Sequence, residues 1–224
     1  AGGTLYAAEF FNEPNMPSAA EGMPKGYSAA NYAAEFRIFR DWAKQAVPQM
    51  KIIGPGGALE GSMFKDASAN DEQHPLLQGH IASRDMMALN PGSLDAVTYH
   101  FYGSVSQRCE ALGKGTAVKA DALAPKWLDR TLLDSDFYAA LRDKYEPGKP
   151  VWNTETAQAA CGGSPWASTF LDTFRYLNQN AALARRRRPR GAGVGSATRL
   201  IRHARRQPAA GTDAAHGGHH HHAA

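Results

Sequence analysis

Two glutamates stand out by what surrounds them. Glu13 lies in Phe10-Phe11-Asn12-Glu13-Pro14-Asn15, just after the apolar run Leu5-Tyr6-Ala7-Ala8. Glu155 lies near the end of Val151-Trp152-Asn153-Thr154-Glu155-Thr156, a run that follows Pro150. Both runs read as short buried strands that deliver a carboxylate at their C-terminal edge, where barrel enzymes keep their chemistry. Two such carboxyl groups are the minimum equipment for retaining hydrolysis of a glycosidic bond, one as proton donor and one as nucleophile. His100 and Tyr102 alternate within Thr98-Tyr99-His100-Phe101-Tyr102, so on a strand their side chains share one face. That face is either a packed interior or part of a site. Gly162 and Gly163, beyond Glu155, form either an ordinary turn or a stretch where backbone must approach a ligand closely. Trp152 and Trp166 offer rings for stacking on a sugar, with core packing the expected role for Trp152 inside its strand.

The elements that must position these residues follow in a regular order. Strands are expected over residues 4–11, 50–53, 94–102 and 151–155. Gly54-Pro55-Gly56-Gly57 is expected to break the second of them. Helices are expected over residues 28–46, 77–89, 134–145 and 165–178. In the first, Ser28 can cap the N-terminus, and Tyr32, Phe36, Phe39 and Trp42 recur at helical spacing. Pro165 suits the first turn of the last. Residues 64–75 read as a polar loop and 103–134 as a long irregular segment. Strands alternating with helices predict an α/β protein with a parallel sheet. An open doubly wound sheet would want a Gly-rich phosphate turn after its first strand. Asn-Glu-Pro stands there instead, which favours a partial (β/α)8 TIM barrel of four βα repeats.

Composition narrows the partners. Of the 25 basic residues in this 224-residue chain, nine lie from Arg185 onward, with one of the 21 acidic ones. The body therefore holds 16 basic against 20 acidic residues and gives no reason to expect nucleic acid as a partner. No run approaches the roughly 18 apolar residues of a membrane span. Cys109 and Cys161 have no metal-type spacing; they are two unrelated thiols or a disulfide between neighbouring loops, the latter implying an oxidising compartment. No metal site and no cofactor is implied. The compartment is open, with a secreted or periplasmic setting favoured. The domain division expected is 1–183 for the barrel piece and 184–224 for a disordered basic tail. Arg185-Arg186-Arg187-Arg188-Pro189-Arg190 opens text rich in Arg, Ala, Gly and Pro, as out-of-frame reading of GC-rich DNA would produce, and the tract His219 to His222 is tag-like or chance.

Phe11-Asn12-Glu13-Pro14-Asn15 resembles the acid/base motif of the clan A glycoside hydrolases. Together with Ile53-Gly54-Pro55, Thr98-Tyr99-His100-Phe101-Tyr102, Gly148-Lys149-Pro150-Val151-Trp152-Asn153-Thr154-Glu155-Thr156 and Gly162-Gly163, it is similar to glycoside hydrolase family 79, the heparanase and β-glucuronidase family. The resemblance implies a (β/α)8 barrel represented by roughly strands four to seven. It makes Glu13 the acid/base and Glu155 the nucleophile, 142 residues apart. It puts Asn12 on the sugar 2-hydroxyl, His100 and Tyr102 at the catalytic face with Tyr102 beside Glu155, and the backbone N–H groups of Gly162 and Gly163 on a uronate carboxylate. Ala160-Cys161 departs from the family, where heparanases carry an aromatic residue and a further Gly. The function implied is a retaining β-glycosidase acting on an oligosaccharide or glycoside, truncated and inactive as it stands. A β-xylosidase-like clan A enzyme and a non-catalytic carbohydrate-binding homologue are the alternatives.

Overall fold

The structure is a computed structural model and describes residues 4–17, 23–62, 79–112 and 119–186. Strands β1 (Ala7–Glu9), β2 (Lys51–Ala58), β3 (Ala96–Tyr102) and β4 (Val151–Ala157) alternate with helices α1 (Ala29–Ala46), α2 (Ser83–Ala88), α3 (Pro125–Tyr145) and α4 (Phe170–Arg186). The sheet order is β1-β2-β3-β4 and every pairing is parallel. This is a curled half-barrel, the expected α/β architecture.

The two sheet faces differ as the alternation of residues requires. Ile52, Val97, Tyr99 and Phe101 point to the helix layer, where Tyr32 and Phe36 of α1, Met86 and Met87 of α2, and Tyr138 and Leu141 of α3 bury them. The opposite face carries Ile53, Ala96 and Trp152 packed with Ala7. Its curl is tight enough that the outermost strands meet across it. Tyr6, just before β1, stacks on Trp152 of β4, and the Thr154 hydroxyl of β4 donates to Glu9 of β1 at 2.9 Å.

Several boundaries differ from expectation, each for a local reason. β2 does not stop at Gly54; it runs through Gly54-Pro55-Gly56-Gly57 with a register shift between Pro55 and Gly57. A side chain at position 57 would collide with Ser83, Tyr138 and Glu60, so this glycine lets the strand pass beneath α2 and α3. α3 opens at Pro125 rather than Asp134, because Pro suits the first turn. Asp134 is instead buried in mid-helix, accepting a 2.6 Å hydrogen bond from Ser62 N–H. α4 starts at Phe170, with Pro165 and Trp166 in the turns before it, and continues through Ala184, Arg185 and Arg186 into the expected tail. Arg186 pairs with Asp136 of α3 there. The second helix is confined to Ser83–Ala88, with residues 79–82 outside it. The expectations for residues 63–78, 113–118 and 187–224 lie outside the described residues.

At α1 the reading holds closely. Ser28 Oγ accepts from Asn31 N–H, and Asn31 Oδ1 accepts from Ser28 N–H, a reciprocal cap. Tyr32 and Phe36 are buried, while Trp42 at the end of the stripe is 55% exposed. No helix among the described residues is long and apolar enough to cross a membrane.

Candidate active site

The C-terminal edge of the sheet gathers the carboxylates. β1 ends at Glu9, and the chain turns through Phe10-Phe11-Asn12 to Glu13, whose φ of 50° is unusual for a residue with a side chain. Asn15 holds this turn in place. Fully buried, it donates Nδ2–H to the Ala58 carbonyl (2.7 Å) and accepts from Ala58 N–H (3.0 Å), tying the loop after β1 to the end of β2. Glu155 sits in β4, with Asn153 Nδ2 bonded to the Tyr99 carbonyl of β3 and to the Glu155 carbonyl. Behind β4, the buried Arg175 of α4 donates to Asp172 and Gln179, and Gln179 donates to the Thr156 hydroxyl.

His100 stands between the acids. Its Nδ1 is 3.0 Å from Glu13 Oε1 and 3.8 Å from Glu155 Oε2, and its Nε2 is 3.6 Å from Glu9 Oε2. One side-chain ligand atom each from Glu13, His100 and Glu155 lie within 4.8 Å of one another. Burial works against a charge on His100, but hydrogen bonds to Glu13 and Glu9 and their negative charge outweigh it, raising its pKa to about 10. Burial likewise works against ionised Glu9, yet the bonds and charge of His100, with the Thr98 and Thr154 hydroxyls, hold its pKa below the ordinary carboxylate value. Tyr102 donates its hydroxyl to Glu155 Oε1. Burial and the adjacent charges of Glu13 and Glu155 raise the phenol pKa, so the donor keeps its proton.

Of the residues singled out in sequence, Glu13, His100, Tyr102 and Glu155 are brought together. Asn12 is exposed beside Glu13. Gly162 and Gly163, with φ of 77° and 83°, lie in the loop after β4. The nearest groups to Gly162 belong to Arg108, which donates Nη2–H to its carbonyl at 2.7 Å; those of Gly163 include the Gln158 amide. The two tryptophans offer no free face for stacking: Trp152 is buried against Ile53 and Ala96, and Trp166 packs edge-on to Trp127. Trp152 packs in the core as expected, and for Trp166 the stacking role gives way to core packing. Cys109 and Cys161 form a disulfide. Their loops are also joined by the Val105–Ala160 bridge and by Ser106 Oγ donating to the Cys161 carbonyl.

Two contributors escaped sequence reading. Glu9 reads in sequence only as a strand residue, though its parity with Ala7 places a carboxylate on the inner face. Asn15 was read only as part of a motif. That Glu13, His100 and Glu155 each bring one donor atom to within 4.8 Å of the others is likewise not legible in the sequence.

A parallel half-barrel with acids at the C-terminal strand edge is the setting in which comparison with known proteins becomes informative. No protein-family model matches the chain. It is 32% identical to the heparanase of Gallus gallus over 104 residues, 46% of this chain and 18% of that protein. The chain thus aligns with under a fifth of that relative's length. Its fold resembles a glycoside hydrolase family 44 endoglucanase produced by Clostridium acetobutylium, with TM-score 0.50 and 12% identity over 89% of this chain and 42% of that one. A xyloglucanase of the same family from Paenibacillus polymyxa superposes with TM-score 0.45 and 19% identity over 71% of this chain and 37% of that one. The chain is therefore similar to glycoside hydrolases, in sequence to a heparanase over part of its length and in fold to part of a family 44 endoglucanase.

Proposed function

We propose that this chain carries the catalytic pair of a retaining β-glycosidase of heparanase or β-glucuronidase type. The observation that supports it is the approach of Glu13 and Glu155, with carboxylate oxygens within 4.8 Å across the sheet edge. Retaining enzymes hold their carboxyl groups roughly 5–5.5 Å apart, inverting enzymes about 6.5–9.5 Å to admit a water.

The roles follow from the neighbours. Protonated His100 carries a proton on Nδ1 beside Glu13, so the proton required by the leaving oxygen is held on the His100–Glu13 pair. Glu13 is the acid in glycosylation and the base that activates water in deglycosylation. Tyr102 donates to Glu155 Oε1 and orients that carboxyl group for attack on the anomeric carbon. Asn12, exposed next to Glu13, meets the sugar 2-hydroxyl. A uronate carboxylate is received at Gly162 and Gly163, where the exposed Arg108 adds positive charge and the buried Gln158 Nε2 has no partner among the described residues. The heparanase similarity supports a uronic acid as the sugar.

The test is covalent. A 2-deoxy-2-fluoro-β-glucuronide with a good leaving group should label Glu155, found by peptide mass mapping. One turnover suffices, so a slow site still reports. Label on Glu13 would reverse the roles. Label from the xyloside but not the glucuronide would favour the β-xylosidase-like alternative. No label, with glycan binding retained, would leave a non-catalytic carbohydrate-binding homologue.

A further inference from the structure

The geometry around His100 points to a second capacity: we propose that Glu13, His100 and Glu155 form a binding site for a zinc-type divalent transition-metal ion, and that the ion and a glycoside exclude one another. The site itself stands on geometry; the exclusion rests on the glycosidase reading.

Four observations converge. The donor set is one imidazole nitrogen and two carboxylate oxygens, which suits zinc or cobalt better than magnesium or calcium, with their preference for oxygen and higher coordination. The spacing is right: metal–ligand bonds of about 2.0–2.2 Å in a tetrahedron put ligand atoms about 3.3–3.6 Å apart. Here His100 Nδ1 lies 3.0 and 3.8 Å from the two oxygens, and all three atoms fall within 4.8 Å of one another. The outer shell is also present. Glu9 Oε2 faces Nε2 at 3.6 Å, a carboxylate placed on the side of the ring away from the cluster to receive the Nε2 proton when Nδ1 binds a metal, and Thr154 in turn holds Glu9. Metal-ligating histidines are oriented in this way by a carboxylate on the other nitrogen. Lastly, His100 is buried but the Glu155 side chain is 43% exposed, which leaves a fourth position facing solvent. On binding, the Nδ1 proton leaves to water and the imidazole coordinates as the neutral ligand. The ion then occupies the oxygens that would protonate and attack a glycoside.

Cobalt reports this directly. In the full chain with His203, His216, His219, His220, His221 and His222 replaced by Ala, so that the tail imidazoles take no ion, Co²⁺ should develop the intense visible bands of four-coordinate cobalt, and Zn²⁺ should bleach them. Glu155→Gln should raise the dissociation constant at least about tenfold, and Glu9→Gln, which never touches the ion, about 10–100-fold. His80→Ala, which removes a histidine that is not one of the three donors, should leave the bands unchanged. Circular dichroism verifies that the variants fold, and Glu13→Gln replaces any that does not. Only the pale spectrum of hydrated cobalt, or four-coordinate bands indifferent to Glu155→Gln and Glu9→Gln, would overturn the site. Zn²⁺ should also slow fluoroglycoside labelling, with recovery on adding chelator; labelling indifferent to bound zinc would overturn the exclusion. Cobalt bands without any labelling keep the metal site and remove the glycosidase reading, and labelling without bands does the reverse.

Discussion

Three carboxylates share one buried imidazole, and that sharing governs the chemistry of individual residues. Because Glu9 and Glu13 both face His100, the ring stays charged near neutrality and a proton remains beside Glu13. In a full-length version that turns over, the proposed roles separate kinetically. Glu155→Ala should abolish turnover for every leaving group, because no glycosyl-enzyme can form. Glu13→Ala should spare glycosylation by substrates with very good leaving groups and slow the others by about 10²–10⁴-fold, the usual worth of a general acid. Azide should rescue its deglycosylation and yield a β-glycosyl azide, detectable by mass spectrometry. Normal turnover by Glu155→Ala would remove it as nucleophile. Glu13, His100, Tyr102 and Glu155 were legible because strand parity and strand ends place them. Glu9 was not, because one carboxylate in a three-residue strand reads equally as surface until the opposite strand supplies Thr154.

Between elements, polar side chains do the fastening. Asn15 joins the loop after β1 to β2 through both halves of its amide, so Asn15→Ala strands the buried Ala58 N–H and carbonyl together. It should cost about 1–3 kcal/mol in urea unfolding and release Glu13 from its turn. A destabilisation below a few tenths of a kcal/mol would show that the amide fastens nothing. Asp134, buried between α3 and the segment after β2, behaves differently. Burial raises its pKa from 3.8 to about 8, against hydrogen bonds from Ser62 and with the charge of Glu60 adding to the rise. From pH 3.8 to about 8 the folded chain therefore holds a proton that the unfolded chain has released, so this group's contribution to stability declines as pH rises through that window. Asp134→Asn keeps the acceptor for Ser62 and cannot ionise. Its melting temperature relative to the unsubstituted chain should rise from pH 5 to pH 8; an unchanged difference would contradict the raised pKa.

At the scale of the molecule, one covalent clip serves the site and two sheet edges burden it. The Cys109–Cys161 disulfide joins the loops that follow β3 and β4, the strands carrying Tyr102 and Glu155. With the cysteines 52 positions apart, closing this loop is worth about 2–4 kcal/mol. Replacing both with Ser should lower denaturant stability by that amount and slow labelling of Glu155; full labelling speed in the double variant would show that the clip serves stability alone. The edges carry a different consequence. β1 and β4 are the ends of the four-stranded sheet, and Phe170, Phe174 and Leu177 are exposed along one side of α4. Open strand edges and an apolar helical stripe favour self-association. Phe170→Glu/Phe174→Lys should shift the chain toward monomer in sedimentation velocity, and an unchanged distribution would place the contact elsewhere.

Period and punctuation in the chain determined that four strands and four α-helices alternate among the described residues, that the sheet is parallel, and that Glu13 follows strand one while Glu155 lies toward the C-terminal end of strand four. These are local properties: side-chain alternation, a Ser28 cap, prolines that start or stop a turn. Tertiary structure decided what local pattern does not encode. Gly54-Pro55-Gly56-Gly57 reads as a break, yet pairing with β3 carries the strand through the run, and the missing Cβ at Gly57 makes room for Tyr138 and Ser83. Cys109 and Cys161 read as independent thiols or a pair, and only the meeting of their loops selects the pair. The curl of the sheet, which carries Glu9 to Thr154 and closes His100 around its acids, depends on contacts 87 and 145 residues apart. Separations of that length leave no periodic trace in the sequence, because what joins them is the folded backbone.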